Sequence, residues 1–164
     1  MRYAIVYSSV TGNTLRLANA IKEAMPEESC VYFGAPSDEA LGAERIYVGF
    51  WTDKGTCDAK TSSFLSKITS QKIFLFGTAG FGGSPSYFDQ ILTAVSEKLN
   101  TPDCVFGSYM CQGKMPDAVR RRYEGLEDPI RRKMLLDNFD AARVHPDEAD
   151  CKRCQEAVRA ANKN

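Results

Sequence analysis

"YSSVTGNT", Tyr7 to Thr14, follows directly on the first apolar run of the chain, "RYAIV". Ser9, Thr11 and Thr14 supply hydroxyls, Gly12 removes a side chain from the middle, and no basic residue is present. A strand that ends in such a loop and runs into a helix near Asn13 gathers free backbone N–H groups around one point. The positive end of the helix dipole lies at the same point, so the loop suits an anion. It lacks the Gly-Lys-Ser/Thr ending of a triphosphate loop and also lacks G-x-G-x-x-G. A terminal phosphomonoester, held by neutral donors in a nest of main-chain amides, is therefore the expected ligand group. Ordinary helix capping needs a single hydroxyl or amide side chain. The run Ser9-Val10-Thr11-Gly12-Asn13-Thr14 has more than capping requires.

Outward from this loop, apolar runs rich in β-branched and aromatic residues recur at residues 2–7, 30–33, 45–50, 72–77 and 104–111. They predict five strands. Helical spacing separates most of them: Leu17, Ala20, Ile21 and Ala24, then Phe64, Leu65 and Ile68, then Phe88, Ile91, Leu92 and Val95. Strand and helix alternate, which predicts crossover connections and a parallel sheet covered on both faces. After the fifth strand, Pro116, Pro129 and Pro146 each open a run of good helix formers, predicting three terminal helices. The length of 164 residues predicts one domain, 1–164.

Charge narrows the function classes. Lys+Arg and Asp+Glu both number 21, so no field of one sign favours nucleic acid or an anionic membrane. No stretch has the roughly 18 apolar residues of a membrane span, and the expected location is the cytoplasm. Six scattered cysteines in a chain of this size read as reduced thiols. Cys151 and Cys154 form a C-x-x-C within a predicted helix and lack further ligands for a metal; His145 reads as a helix entry residue. No metal is expected. The clusters Arg120 to Arg122 and Arg131 to Lys133 alternate with acids and read as solvated helix surface, with a partner-docking patch as the alternative.

The segment "SVTGNT" resembles the FMN-phosphate loop of flavodoxins, commonly Ser/Thr-x-Thr-Gly-Asn-Thr, at the same place between first strand and first helix. The resemblance runs through about residue 115 and implies the doubly wound sheet of order 2-1-3-4-5, with extra C-terminal helices here. It implies that Ser9, Val10, Thr11, Gly12, Asn13 and Thr14 bind the phosphate of FMN. The ring is then expected across two loops. "GFWTDKGTCD" (49–58) offers Trp51, Thr52 and Gly55, the last as the carbonyl that turns toward flavin N5 on one-electron reduction. "GTAGFGGSPSYF" (77–88) offers Thr78, Ala79, Gly80, Phe81 and Gly82, with Gly83 allowing close approach and Tyr87 as the alternative aromatic partner. Gln112 and Gly113 in "CQGKM" (111–115) are candidates for the ribityl or ring edge.

An anionic reduced flavin is expected to be disfavoured by the phosphate, by poor solvation between aromatic rings and by neighbouring acids. The implied function is electron transfer with a redox partner protein, a reductase or oxidoreductase. The alternative is a flavin-dependent reductase or dehydrogenase acting directly on a quinone or tetrapyrrole. Flavodoxins are mostly strongly acidic, whereas this chain is neutral, so a different partner or a local docking patch is expected. "GFWTDKGTCD" and "CQGKM" are also similar to small flavodoxins of anaerobic bacteria, including those encoded beside bilirubin-reducing enzymes.

Overall fold

The computed structural model describes residues 1–82 and 84–164. Strands β1 (Tyr3–Tyr7), β2 (Cys30–Gly34) and β3 (Arg45–Asp53) alternate with helix α1 (Asn13–Glu23) and a 3-10 turn. A two-residue strand β4 (Thr56–Cys57) follows, then α2 (Ala59–Leu65), β5 (Lys72–Ala79), α3 (Pro85–Ser96) and β6 (Val105–Gln112). Helices α4 (Asp117–Glu124), α5 (Pro129–Ala142) and α6 (Glu148–Asn162) complete the chain. The sheet order is β2-β1-β3-β5-β6, all parallel, which is the predicted order once β4 is set aside. β4 pairs antiparallel with the end of β3. The segment between β2 and β3, where no helical spacing is evident, forms only the short 3-10 turn.

The continuous apolar strands are buried on both faces, and alternate residues feed two cores. Ala4, Val6, Ile46, Val48, Phe50, Ile73 and Leu75 face α2 and α3, meeting Phe64, Leu65, Ile91 and Val95. Tyr3, Ile5, Tyr47, Phe74 and Phe76 face α1 and α6, meeting Leu17, Ala18, Ile21, Cys154, Val158 and Ala161. Of the three helices after β6, α6 thus packs on the sheet beside α1. The additional pair is α4 and α5, inserted between β6 and α6.

One close approach fixes α1 against the sheet. A methyl group on Gly49 of β3 would lie 2.4 Å from the Phe76 ring and 2.8 Å from Thr14 Cγ2. Only hydrogen fits there. Thr14 is fully buried, and its hydroxyl donates to the Phe50 carbonyl at 3.3 Å. The first turn of α1 is therefore fastened to β3 by a contact and a hydrogen bond together.

At the other end of the chain, Asp147 and Asp150 cap α6 reciprocally, each side chain accepting from the other's backbone N–H at 2.9 Å. Asp150 is buried and also meets His145 Nδ1 and the Arg153 guanidinium, both at 2.6 Å. Burial pushes its carboxyl up, but the bonds from His145, the Asp147 N–H and Arg153 outweigh that and hold it below the ordinary carboxylate value.

Gly49→Ala should destabilise the fold by about 1–3 kcal/mol through overpacking, read as a lowered midpoint in denaturant. Because the Asp150 pKa is depressed on folding, its contribution is complete above the unfolded value near ~3.9 and disappears as pH falls below it. Asp150→Asn should therefore lose about 1–3 kcal/mol at pH 7 and converge with the parent protein in acid unfolding below about pH 4.

Candidate functional site

The carboxyl ends of β1, β3, β5 and β6 converge on one edge of the sheet, where connections leave β1 and β3 toward opposite faces. A cavity of about 550 Å³ opens there. The loop after β1 forms its first wall. Gly12 has φ +88°, in the left-handed region that favours glycine, and it turns the chain directly into α1. Ser9 Oγ accepts from the Gly12 N–H at 3.2 Å and the Leu15 N–H at 3.5 Å, which braces the turn from within. Among the described residues, nothing accepts from the amides of Val10, Thr11, Asn13 and Thr14. Unclaimed donors at the head of α1 are the geometry that the sequence reading expects of an anion site.

The side chains of the loop have other tasks than the sequence suggests. Thr14 was expected to offer a free hydroxyl; instead that group is consumed by the Phe50 carbonyl, because Gly49 draws Thr14 down onto β3. Asn13 is buried, and its Nδ2 donates to the Lys114 carbonyl at 2.8 Å, bridging the β1 and β6 exits. Val10 and Thr11 line the cavity.

β3 and β4 form a hairpin with Lys54 and Gly55 at its tip, at φ +52° and +83°. Two consecutive positive φ values define the primed turn that matches strand twist in two-residue hairpins. Lys54 adopts this conformation without a glycine's freedom. Thr52, beside the tip, donates its hydroxyl to the Thr78 carbonyl at 2.8 Å and so locks the two ring loops to each other. Trp51 and Phe81 both line the cavity, Trp51 partly buried and Phe81 exposed, and Tyr87 joins them from α3. Burial raises the Tyr87 phenol, which therefore remains a neutral donor at physiological pH.

Of the predicted site residues, Val10, Thr11, Asn13, Trp51, Thr52, Gly55, Thr78, Ala79, Gly80 and Phe81 line one cavity. Ser9, Gly12, Thr14 and Gly82 do not: the first three shape the loop, and Gly82 packs against Gln112. Gly83 lies outside the described residues. Gly113 lines the cavity, whereas Gln112 acts from behind it, its Nε2 donating to the Gly80 carbonyl at 3.0 Å. Asn138 of α5 donates to the same carbonyl at 3.1 Å. Sequence reasoning missed Asn138, and no local signal in α5 marks it.

It also missed the far wall, built by Met115, Pro116, Val119, Arg122 and Tyr123 at the start of the inserted helix pair. The expected neighbouring acids are absent: among the described residues no Asp or Glu lines the cavity, and Lys54, Lys114 and Arg122 do. Folding brings cations from three distant segments to the cavity, and Asp53 and Asp117, adjacent in sequence to lining residues, are not part of its lining.

The C-x-x-C has no comparable setting. Cys154 is fully buried, with its thiol pushed up to about 12 by burial first and by Cys151 second, and all cysteines are free. His145, Asp147 and Asp150 bring ligand atoms within 4.8 Å of one another, but their hydrogen bonds are those of the α6 cap.

A doubly wound parallel sheet with an amide nest after β1 and an aromatic-flanked cavity across the next strand ends defines a nucleotide-type flavin protein. The comparisons agree. The flavodoxin domain model matches residues 4–159, and the chain belongs to that family; its cofactor is FMN. It is 40% identical, over an alignment 171 positions long, to the flavodoxin-like domain-containing protein BilS of Clostridium symbiosum (strain WAL-14163), with 92% of this chain and 90% of that protein covered. It is 30% identical over 158 residues to BilS of Clostridioides difficile (strain CD3), again covering 92% and 90%. In structure it resembles oxidised Flavodoxin 2 from Bacillus cereus, at a TM-score of 0.59, 16% identity and 99% coverage of each chain. No helix among the described residues is long and apolar enough to cross a membrane.

Asn13→Ala should cost about 1–3 kcal/mol in a thermal melt, since it strands the Lys114 carbonyl without its donor. Asn13→Asp should cost at least as much, because it sets an acceptor against that carbonyl.

Proposed function

We propose that the chain carries single electrons on a non-covalently bound FMN and exchanges them with a partner oxidoreductase in the cytoplasm. The observation that carries this reading is the set of unclaimed amides at the head of α1, opening on a cavity that Trp51 and Phe81 flank. Those residues fit FMN in charge as well as shape: a phosphate dianion meets amide donors and a helix dipole. Ser9, Val10, Thr11, Gly12, Asn13 and Thr14 hold the phosphate, with Ser9, Asn13 and Thr14 acting mainly by fixing the loop that presents its amides. Trp51, Thr52 and Gly55 would contact the ring from one loop and Thr78, Ala79, Gly80 and Phe81 from the other, with Gly82 shaping that second loop through its packing on Gln112.

FMN supplies one-electron chemistry that no side chain provides. The chain's own contribution is positioning and exclusion of water. The Gln112 and Asn138 amides hold the Gly80 carbonyl, keeping the second ring loop in place. The aromatic walls and Met115 displace water from the ring faces. Gly55, at positive φ, presents a main-chain carbonyl on a turn that a side chain would stiffen.

A second reading is direct reduction of a quinone or tetrapyrrole. One observation favours it: Met115, just before α4, and Val119 and Tyr123 within it extend an apolar wall beyond the loops after β3 and β5. Carrier and reductase separate in a steady-state assay. The carrier reading expects no turnover of quinone or tetrapyrrole without a second protein.

Titration of the purified protein should quench FMN fluorescence, and riboflavin, which lacks the phosphate, should bind at least about a hundredfold more weakly. Equal affinity for the two would overturn the phosphate assignment. Gly12→Ala should weaken FMN binding by about fivefold, reflecting roughly 1 kcal/mol of left-handed strain.

A further inference from the structure

We infer that the rim of the cavity is a docking surface for a partner protein whose contact face is acidic. The inference deepens the electron-carrier reading, which supplies the reason for a partner to approach this edge. Lys54 comes from the hairpin tip, Lys114 from the β6 exit and Arg122 from α4, and all three line the cavity with no carboxylate among the described residues. In a chain with 21 charges of each sign this is a local segregation.

None of the three cations is spent on an ion pair. Among the described residues, the Lys and Arg side chains within reach of a carboxylate are Lys67, Arg120, Lys133, Arg143 and Arg153. The acids nearest in sequence form no ion pair with them either, among the described residues. Asp53 and Asp117 stay off the cavity, and Glu124 is taken by Arg120 at 3.2 Å.

Beside the cations lies apolar surface that the ring does not claim: Val10, whose main-chain amide and not its side chain is assigned to the phosphate, lines the same cavity and is 67% exposed. An apolar centre inside a charged rim is the composition of a transient protein interface. The sign of the rim selects the partner, because exposed charges steer an oppositely charged face and repel a like one. Three cations around an apolar centre suit a patch of carboxylates; a nucleic acid calls for a longer basic track.

The test uses acceptors of opposite charge. FMN-loaded protein, reduced anaerobically, is mixed in a stopped-flow instrument with ferricyanide, an anion, or with tris(phenanthroline)cobalt(III), a cation. One electron passes from the flavin to each metal complex, reducing Fe(III) to Fe(II) or Co(III) to Co(II). Two complexes are consumed per fully reduced flavin, and its protons go to solvent. The ferricyanide rate should fall at least about fivefold from roughly 10 to 300 mM salt, and the cobalt rate should rise.

Lys54→Glu combined with Arg122→Glu should invert both trends, and should slow exchange with an acidic plant-type ferredoxin at least about tenfold relative to basic cytochrome c. A ferricyanide rate that is flat or rises with salt, or a parent protein that prefers cytochrome c, overturns the proposal. Trp51, the sole tryptophan, reads the same charge without cofactor. Iodide should quench its fluorescence at least about threefold more strongly than caesium at low salt, and equal quenching also overturns the proposal. Failure to bind FMN leaves this last measurement intact, so the two readings fail separately.

Discussion

The structure depends on main-chain donors that folding leaves without acceptors. β1 ends inside the sheet, Gly12 turns the chain through a left-handed conformation, and α1 begins before its first amides have carbonyls to reach. Such a group is costly if buried and useful if aimed at a ligand. Everything around the loop serves to hold it in that posture. Ser9 braces it from inside, Thr14 ties it to β3, and Asn13 ties it to the β6 exit. The helix end cannot slide or fray without breaking one of these bonds, so the donors stay assembled before any ligand arrives. Preorganisation of this kind removes part of the ordering cost of binding.

Much of this was legible in the sequence because it is local. Strand, loop and helix follow one another without interruption from Tyr3 to Glu23, and the donor-rich loop announces itself by composition alone. Alternation and strands apolar on both faces indicated a parallel sheet, while its order came from the resemblance that the Ser9 to Thr14 loop carries. The hairpin at Lys54 and Gly55 was legible only as a turn, because its second strand has two residues and no alternation to detect. Gly49 did carry a signal: a lone glycine inside "YVGF", a strand otherwise fully apolar, marks a backbone approached closely by something else. Cys154, Val158 and Ala161, spaced by four and three residues, carried a similar signal for α6, which the reading of three alike terminal helices passed over.

What stayed hidden is convergence in three dimensions. Nothing near Asn138 suggests that its amide supports a carbonyl in a loop 58 positions earlier. Nothing in the even charge balance suggests that Lys54, Lys114 and Arg122 meet at one rim while the acids are placed elsewhere. The expectation of neighbouring acids failed for that reason: net charge describes the far field, while a cavity responds to whichever side chains the topology delivers to its mouth. The electrostatic setting of the cavity is accordingly cationic at Lys54, Lys114 and Arg122 and polar but uncharged at the nest.

The inserted helix pair has a closed base. The Lys114 N–H donates to the His145 carbonyl at 3.0 Å, so the chain leaves the sheet and returns to it across a single hydrogen bond. An excursion pinned in this way behaves as a cassette: its length and composition can drift, or be exchanged wholesale, while the strands and α6 keep their register, because lengthening a closed loop costs little. The same pin places the start of the cassette at the cavity. Related chains can thus acquire a new wall for this cavity by rewriting about thirty contiguous residues, leaving the loop at the head of α1 unchanged.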